Sequence, residues 1–389
     1  MVSILINILV VINLIYTACI VILFSFNVVA KYRKFLKKKI FSESKTITTI
    51  VPLKNGCEQT LINIKMLIAS QPFENSRVII SVEDQNEPLF NELKLIERRE
   101  NNFEVTIAGK PAGVNGKASN MLSAYNITDS EYVVFMDADV LVQKDNYYDM
   151  LLQFEDKNYG AVFSTAFYKH SKSMGGKMIR AVANYFFGEA VLLFESVIKI
   201  NYCAGAFMAF RKTALDEAGG VKAVLNFISD DAALGNNVFN ADYKIKILNT
   251  PVFMPGEKLN TWQSINHLAK WIVIVNKTMG KNYFFVPFSF YTGNIFLILI
   301  LSVLTGERLL FSLLLLIFAS AFRLTSAALQ DIMLTGRFAG FFDYAFTILA
   351  GYLQPFIWLS GFFLNKLSWA GKIYKIGKHG KILSVNEVK

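Results

Sequence analysis

Three acidic marks, each closing an apolar run, constrain this chain more than any other feature. They are SVED at Ser81 to Asp84, FMDADV at Phe135 to Val140, and FISDD at Phe227 to Asp231. The runs RVIISV and EYVVFM are β-branched and aromatic, short, and bounded by polar clusters, which marks buried strands of an α/β sheet. In such sheets ligands gather beyond the carboxyl ends of the strands, where these carboxylates fall. Asp137 and Asp139 stand two residues apart, so an extended segment presents both on one face. Two oxygen ligands aimed the same way suit a magnesium or manganese ion carrying a substrate diphosphate. A strand ending in a solvated turn with two unrelated aspartates is the competing reading of DAD alone.

The 389 residues are 53% hydrophobic, too apolar for a soluble enzyme, and the excess is localised. Val2 to Ala30 carries no charge and exceeds the ~20 residues needed to span a bilayer. A cleaved signal peptide is the alternative, but the segment lacks a basic start and a small-residue cleavage site. Asn282 to Thr305 and Leu309 to Leu329 are further candidates, the second interrupted by Arg323, which could snorkel toward an interface. Tyr344 to Asn365 is a fourth, broken by Gly351, Gln354, Pro355 and Gly361, and a re-entrant path for it would keep the tail cytoplasmic. The formal net charge is +10, yet the Lys31 to Ile40 run and the lysine-rich tail supply all of it. The middle of the chain is neutral, so no basic stripe suggests nucleic-acid binding. Positive-inside logic places that middle in the cytoplasm of a multi-pass cell-membrane protein. Cys19, Cys57 and Cys203 are scattered without metal-ligand spacing, and none of the three histidines is near a cysteine.

The expected order is an anchor over 1–30, a basic linker over 31–44 and an α/β domain over 45–255. An interfacial segment over 256–282, apolar helices over 283–365 and a basic tail over 366–389 follow. In the domain TITTIVPL, RVIISV, FEVTIAG and EYVVFM read as strands. Gln59 to Ala69, Glu92 to Glu100 and Lys117 to Tyr125 read as helices between them. This alternation predicts a doubly wound, mostly parallel sheet. Arg180 to Ile200 reads as a core helix or as one lying on a membrane.

Several stretches, taken in order, resemble membrane-bound family 2 glycosyltransferases of the GT-A fold, within them the ceramide glucosyltransferase-like group. These are SVEDQNEP, GKPAGVNGKASNM, MDADV, CAGAFMAFRKTALDEAGG, FISDDAALGNNV, HLAKW, FDYAF and SWAGKIYKI. The resemblance implies a GT-A nucleotide-diphospho-sugar transferase domain with one N-terminal and about three C-terminal transmembrane or re-entrant helices. It implies that Asp84 contacts the uridine of a nucleotide-sugar donor. Lys117 would meet the diphosphate at a helix N-terminus, with Asn120 a weaker candidate beside it. Asp139 would ligate the metal, Mn or Mg, with Asp137 supporting the donor. Asp231 would be the catalytic base, and its neighbour Asp230 is a second carboxylate close enough to raise one pKa.

HLAKW departs from the family pattern, with His267 and Lys270 in place of Gln or Arg and Arg, while Trp271 is retained. A lysine still binds phosphate, without the bidentate fork of arginine. Trp271 could stack on the acceptor or anchor at the interface, and Arg211 reads as structural. The function implied is inverting, metal-dependent hexose transfer from a UDP-type donor to a lipid hydroxyl such as that of ceramide. The alternatives are a processive polysaccharide synthase, a polyprenyl-phosphate glycosyltransferase, or a non-catalytic nucleotide-sugar-binding membrane protein.

Overall fold

A computed structural model describes residues 45–387 except 189, 192–194, 196–198, 257 and 370, together with residues 4, 7, 8, 10–12 and 15. The rest of the expected N-terminal anchor, the basic linker, Cys19 and Glu189 lie outside the described residues.

Seven strands form one sheet: β1 (Ile47–Leu53), β2 (Arg77–Val82), β3 (Phe103–Ile107), β4 (Tyr132–Met136), β5 (Tyr159–Phe163), β7 (Phe207–Arg211) and β8 (Lys244–Ile247). Their order is β3-β2-β1-β4-β7-β5-β8. The first four pair parallel, as expected. β7 then runs antiparallel between β4 and β5, so the sheet is mixed rather than purely doubly wound. A short pair, β6 (Ala166–Tyr168) and β9 (Val252–Met254), lies apart from it.

The continuous apolar runs are strands buried on both faces. Val78, Ile80, Val82, Val134 and Met136 enter one core cluster, while the alternating Ile79, Val133 and Phe135 enter the other. The first cluster is packed by α1 (Glu58–Ala69), α2 (Phe90–Glu97) and α4 (Lys144–Gln153). The second is packed by α3 (Gly116–Asn126) and, after α6 (Lys212–Glu217), by α7 (Asp230–Asn240).

The apolar third is joined to the first cluster. Ile179 of α5 (Met174–Val182), Leu268 of α8 (Thr261–Met279) and Ala350 of α11 (Phe341–Ser360) all lie in it. Between α8 and α11 run α9 (Tyr291–Thr305) and α10 (Leu309–Thr335). Among the described residues α10 alone is long and apolar enough to cross a membrane, and its 27 residues reach about 40 Å. The stretch Thr261–Pro287 meets α9 at a 57° bend and passes the same test only as a broken pair. Val10 packs among Tyr291, Ile295, Leu315 and Ala319 of α9 and α10.

Arg323 does not snorkel. It is 1% exposed and turns inward, donating to the Tyr185 carbonyl at 2.6 Å and lying over the rings of Phe186 and Tyr291. That carbonyl belongs to a π-turn (Ala183–Phe187), within the segment expected as a core or surface helix. Both ends of α11 return to the domain side. Asp343 pairs with His170 at 2.9 Å, and the Gly361 carbonyl accepts from Asn276 of α8. The tail then lies against the α/β domain. The basic tail forms three antiparallel strands, β10 (Lys366–Trp369), β11 (Lys372–Ile376) and β12 (Ile382–Glu387). Alternation explains this: Lys375 points outward between Tyr374 and Ile376, which bury against Ile228 and Val273.

One buried ion pair ties α10 to the domain. Arg180 Nη2 donates to Asp331 Oδ1 at 2.5 Å, and the hydroxyls of Tyr185 and Tyr344 complete the carboxylate. Replacing one partner of such a pair leaves an uncompensated buried charge. Asp331→Asn should therefore cost about 3 kcal/mol in thermal unfolding of the detergent-solubilised protein. A loss within about 0.5 kcal/mol, the range of surface substitutions, would mean the junction does not depend on this pair.

Candidate functional site

Asp137 follows the last residue of β4, and its N–H donates to the Ala206 carbonyl just before β7. Lys117 stands in the first turn of α3, capped by the Asn115 side chain, which accepts from the Ala118 N–H at 3.1 Å. The Lys117 ammonium reaches Asp137 Oδ1 at 2.6 Å and Asp230 Oδ2 at 3.7 Å. Burial opposes its charge, but Asp137, Asp230 and Asp231 outweigh that opposition and lift its pKa above the ordinary lysine range.

Asp230 is 3% exposed. Burial, and then the charges of Asp231 and Asp137, push its pKa up to about 6 against the pull of Lys117. Its Oδ2 has no hydrogen-bond donor, while Oδ1 accepts from Asn115 Nδ2 at 3.3 Å. Asp231 is half-buried in the first turn of α7, its Oδ1 accepting from Ser229 Oγ at 2.5 Å and the Ala232 N–H at 2.7 Å. Its Oδ2 faces Gly205, where an added Cβ would come within 3.0 Å. Asp137 and Asp231 thus flank the same Gly205–Ala206 segment.

Two loops carry these groups and are fastened together. The Asn115 N–H donates to the Leu225 carbonyl at 2.8 Å, its Nδ2 to the Phe227 carbonyl at 2.7 Å, and the Val114 N–H to Asn226 Oδ1 at 3.2 Å. Gly113 is required there, since a Cβ would lie 2.7 Å from the Leu225 carbonyl oxygen. The tail grips the same loop from behind. The Ile228 N–H donates to the Gly380 carbonyl at 2.9 Å and the Ile382 N–H to the Asn226 carbonyl at 2.8 Å.

The remaining predicted residues are spread more widely. Asp84 is exposed beyond β2, its Oδ1 accepting from the Asn86 N–H at 2.7 Å in a local turn. Asn120 is structural, its Nδ2 donating to the Leu53 and Ser81 carbonyls at the ends of β1 and β2. Asp139 is exposed within the turn that the Val140 N–H closes onto the Asp137 carbonyl. His267, Lys270 and Trp271 lie together on α8. Trp271 packs edge-on to His267, Phe187 and Tyr168 with ring centroids at 4.6, 5.6 and 6.4 Å. It fills the junction between domain and helices, and the described ring contacts of Trp271 and His267 do not include the Lys117 cluster. Arg211 sits at the opposite end of the sheet over Tyr132 and Phe154, as a structural residue.

Sequence reading missed Asn115 and Asn226, whose signal was the cap position before α3 and an asparagine ahead of FISDD. It also missed Glu87, whose carboxylate accepts the Asn55 and Gly56 N–H groups and holds the turn after β1. Among the described residues no three His, Cys, Asp or Glu side chains converge on one point. The donor set at the end of β4 is oxygen only, and Asp137 already holds Lys117. A hard cation there fits two carboxylates only if substrate oxygens and water complete its shell.

With the geometry in view, comparison with known proteins assigns a class. The chain belongs to glycosyl transferase family 21, whose profile matches residues 9–382. The expected likeness to ceramide glucosyltransferases is borne out. It is 19% identical to ceramide glucosyltransferase 3 of Caenorhabditis elegans over 249 residues, 62% of this chain and 53% of that protein. It is 19% identical to ceramide glucosyltransferase 1 of the same organism over 232 residues, 58% of this chain and 49% of that one. The chain spans about half the length of the curated relatives it matches. Similar solved structures include a Pyrobaculum calidifontis mannosyltransferase in complex with GDP-mannose and Mn2+ (15% identity, 91% of this chain, 99% of that chain, TM-score 0.46). Another is GalNAc-T7 with UDP, GalNAc and Mn2+ (12% identity, 63% of this chain, 50% of that chain, TM-score 0.43).

Two outcomes test this geometry. A buried carboxylate whose folded pKa is raised contributes stability at low pH that is lost as pH rises through about 6. Asp230→Asn should then match the wild type near pH 4 and exceed it by about 2–3 kcal/mol at pH 7.5; destabilisation at pH 7.5 would show that attraction to Lys117 dominates. Ile382→Pro deletes the N–H that holds Asn226. It should loosen residues 225–231 in hydrogen exchange while leaving β1 to β4 protected, and unchanged exchange there would show that the tail does not hold the loop.

Proposed function

We propose that the protein transfers a hexose, with inversion, from a UDP-linked donor to the hydroxyl of a membrane lipid such as ceramide. The observation that carries this reading is the Lys117–Asp137–Asp230 cluster with Asp231 beside it, at the carboxyl ends of the strands. Family membership and the ceramide glucosyltransferase relatives support the class of donor and acceptor. Support for a membrane acceptor comes from α10, which joins the domain through Arg180 and Asp331.

Asp84 holds the uridine from the end of β2. Lys117 releases part of its attraction to Asp137 and Asp230 when a diphosphate arrives, because a dianion at a helix N-terminus offers it stronger charge and open backbone N–H groups. Asp139, with Asp137, would hold a Mg or Mn ion, which neutralises charge building on the departing diphosphate. Asp231 takes the proton from the acceptor hydroxyl as its oxygen attacks the anomeric carbon from the face opposite the leaving group. Ser229 and the Ala232 N–H fix one oxygen of that carboxylate and leave Oδ2, the one beside Gly205, for the acceptor. Asp230 keeps Lys117 charged from behind. Trp271 shapes the junction through which the lipid reaches the site, and His267 with Lys270 lines the same helix face.

Turnover of Asp231→Asn with UDP-hexose and ceramide tests the assignment. The rate constant should fall by about 10²–10⁴-fold, the usual contribution of a general base, with the donor KM within a few-fold. Full activity in that variant would sink the base assignment and favour an acceptor that is already ionised, as a polyprenyl phosphate is.

A further inference from the structure

The loop joining α10 to α11 runs from Gly336 to Gly340 and is flanked by aromatic side chains left outside the fold. Phe338, Phe341 and Phe342 are 66%, 80% and 61% exposed. Beneath the loop is a cavity of about 350 Å³, lined by Lys169, His170, Arg180, Asp331, Arg337 and Phe338 among others. None of its lining residues belongs to the Lys117 cluster.

The charges in this cavity do not cancel. Asp331 is saturated by Arg180 and two tyrosine hydroxyls. Asp343, fully buried nearby, is hydrogen-bonded to His170 Nδ1 at 2.9 Å and faces Arg180 Nη1 at 3.7 Å. Lys169 rests its ammonium over the Phe253 ring at 5.5 Å. Among the described residues neither Lys169 nor Arg337 has a carboxylate partner, so with Arg180 three cations face the two carboxylates of Asp331 and Asp343.

Arg180 adds an independent sign. It is 3% exposed; Nη2 is bonded to Asp331 and Nη1 faces Asp343 at 3.7 Å, while Nε has no hydrogen-bond acceptor. A buried guanidinium donor left without an acceptor is costly, and a phosphate oxygen can accept from it. An anion entering here meets one orphaned N–H group already in place and two further cations at the rim. The Phe338, Phe341 and Phe342 side chains argue for a membrane source, since exposed aromatic rings beside a basic rim favour the headgroup layer.

We propose that this cavity is a binding site for the phosphate group of an anionic phospholipid, separate from the transfer site and held by Arg180, Lys169 and Arg337. The proposal rests on the reading of α10 as a membrane span. A headgroup fixed here would seat the end of α10 and the Arg180–Asp331 junction at a set depth in the leaflet.

The test uses the full-length protein in nanodiscs of phosphatidylcholine with and without phosphatidic acid, with bound lipid counted by native mass spectrometry. The wild type should retain phosphatidic acid about tenfold over phosphatidylcholine, some 1.4 kcal/mol. Lys169→Gln/Arg337→Gln, both exposed positions outside the transfer site, should lose that preference while keeping its thermal stability. Equal retention of the two lipids, or an undiminished preference in the double variant, overturns the proposal. Stabilisation of the detergent-solubilised protein by inorganic phosphate without any lipid preference overturns the lipid source. Carbonate extraction of native membranes tests the span separately: release of the protein would end the reading of α10, whatever the lipid counts show.

Discussion

One lysine holds the candidate site together. Lys117 is the only cation that the described ion pairs bring between Asp137 and Asp230, and those carboxylates come from the end of β4 and the start of α7. Without it, acidic groups from two separate loops would repel in a partly buried space. Its position follows from the Asn115 cap, which starts α3 where the ammonium can bridge both. The same balance of charge prepares the site for a diphosphate, because a lysine held by carboxylates is charged before any substrate arrives.

The rest of the molecule keeps the two loops in register. Asn115 and Asn226 bond one loop to the other, and the β10–β12 sheet pins the second loop from outside through Gly380 and Ile382. The same sheet packs on Val273 of α8, and α8 carries Trp271 into the domain core beside Phe187 and Tyr168. A shift of the apolar helices therefore reaches the acidic loop through α8 and the tail. Arg180 and Arg323 are both buried at that junction.

Much of the sheet was legible because strands buried on both faces leave unbroken apolar runs. RVIISV is β2 as read, EYVVFM gave β4 to within a residue, and GVNGKASN placed the start of α3. The antiparallel β7 was not legible, since FMAFR looks like any buried strand and its direction depends on where the chain returns. Asp137, Lys117 and Asp231 were visible because acidic or basic residues after apolar runs stand out. Asn115 and Asn226 were not, because their importance lies in partners 112 residues away in sequence. The tail was read only as a basic segment, because its lysines masked the alternation that builds β11. Arg323 was read as snorkelling because periodicity does not show that a carbonyl is freed inside the bundle by a π-turn.

The direct measurement is a structure of the protein with UDP-hexose, Mn2+ and a lipid acceptor. The account predicts the diphosphate against Lys117, the ion on Asp139, and Asp231 across the hexose from both, with its Oδ2 toward the acceptor hydroxyl. A donor bound away from the end of β4, or an Asp231 carboxylate on the same side of the sugar as the diphosphate, would contradict it.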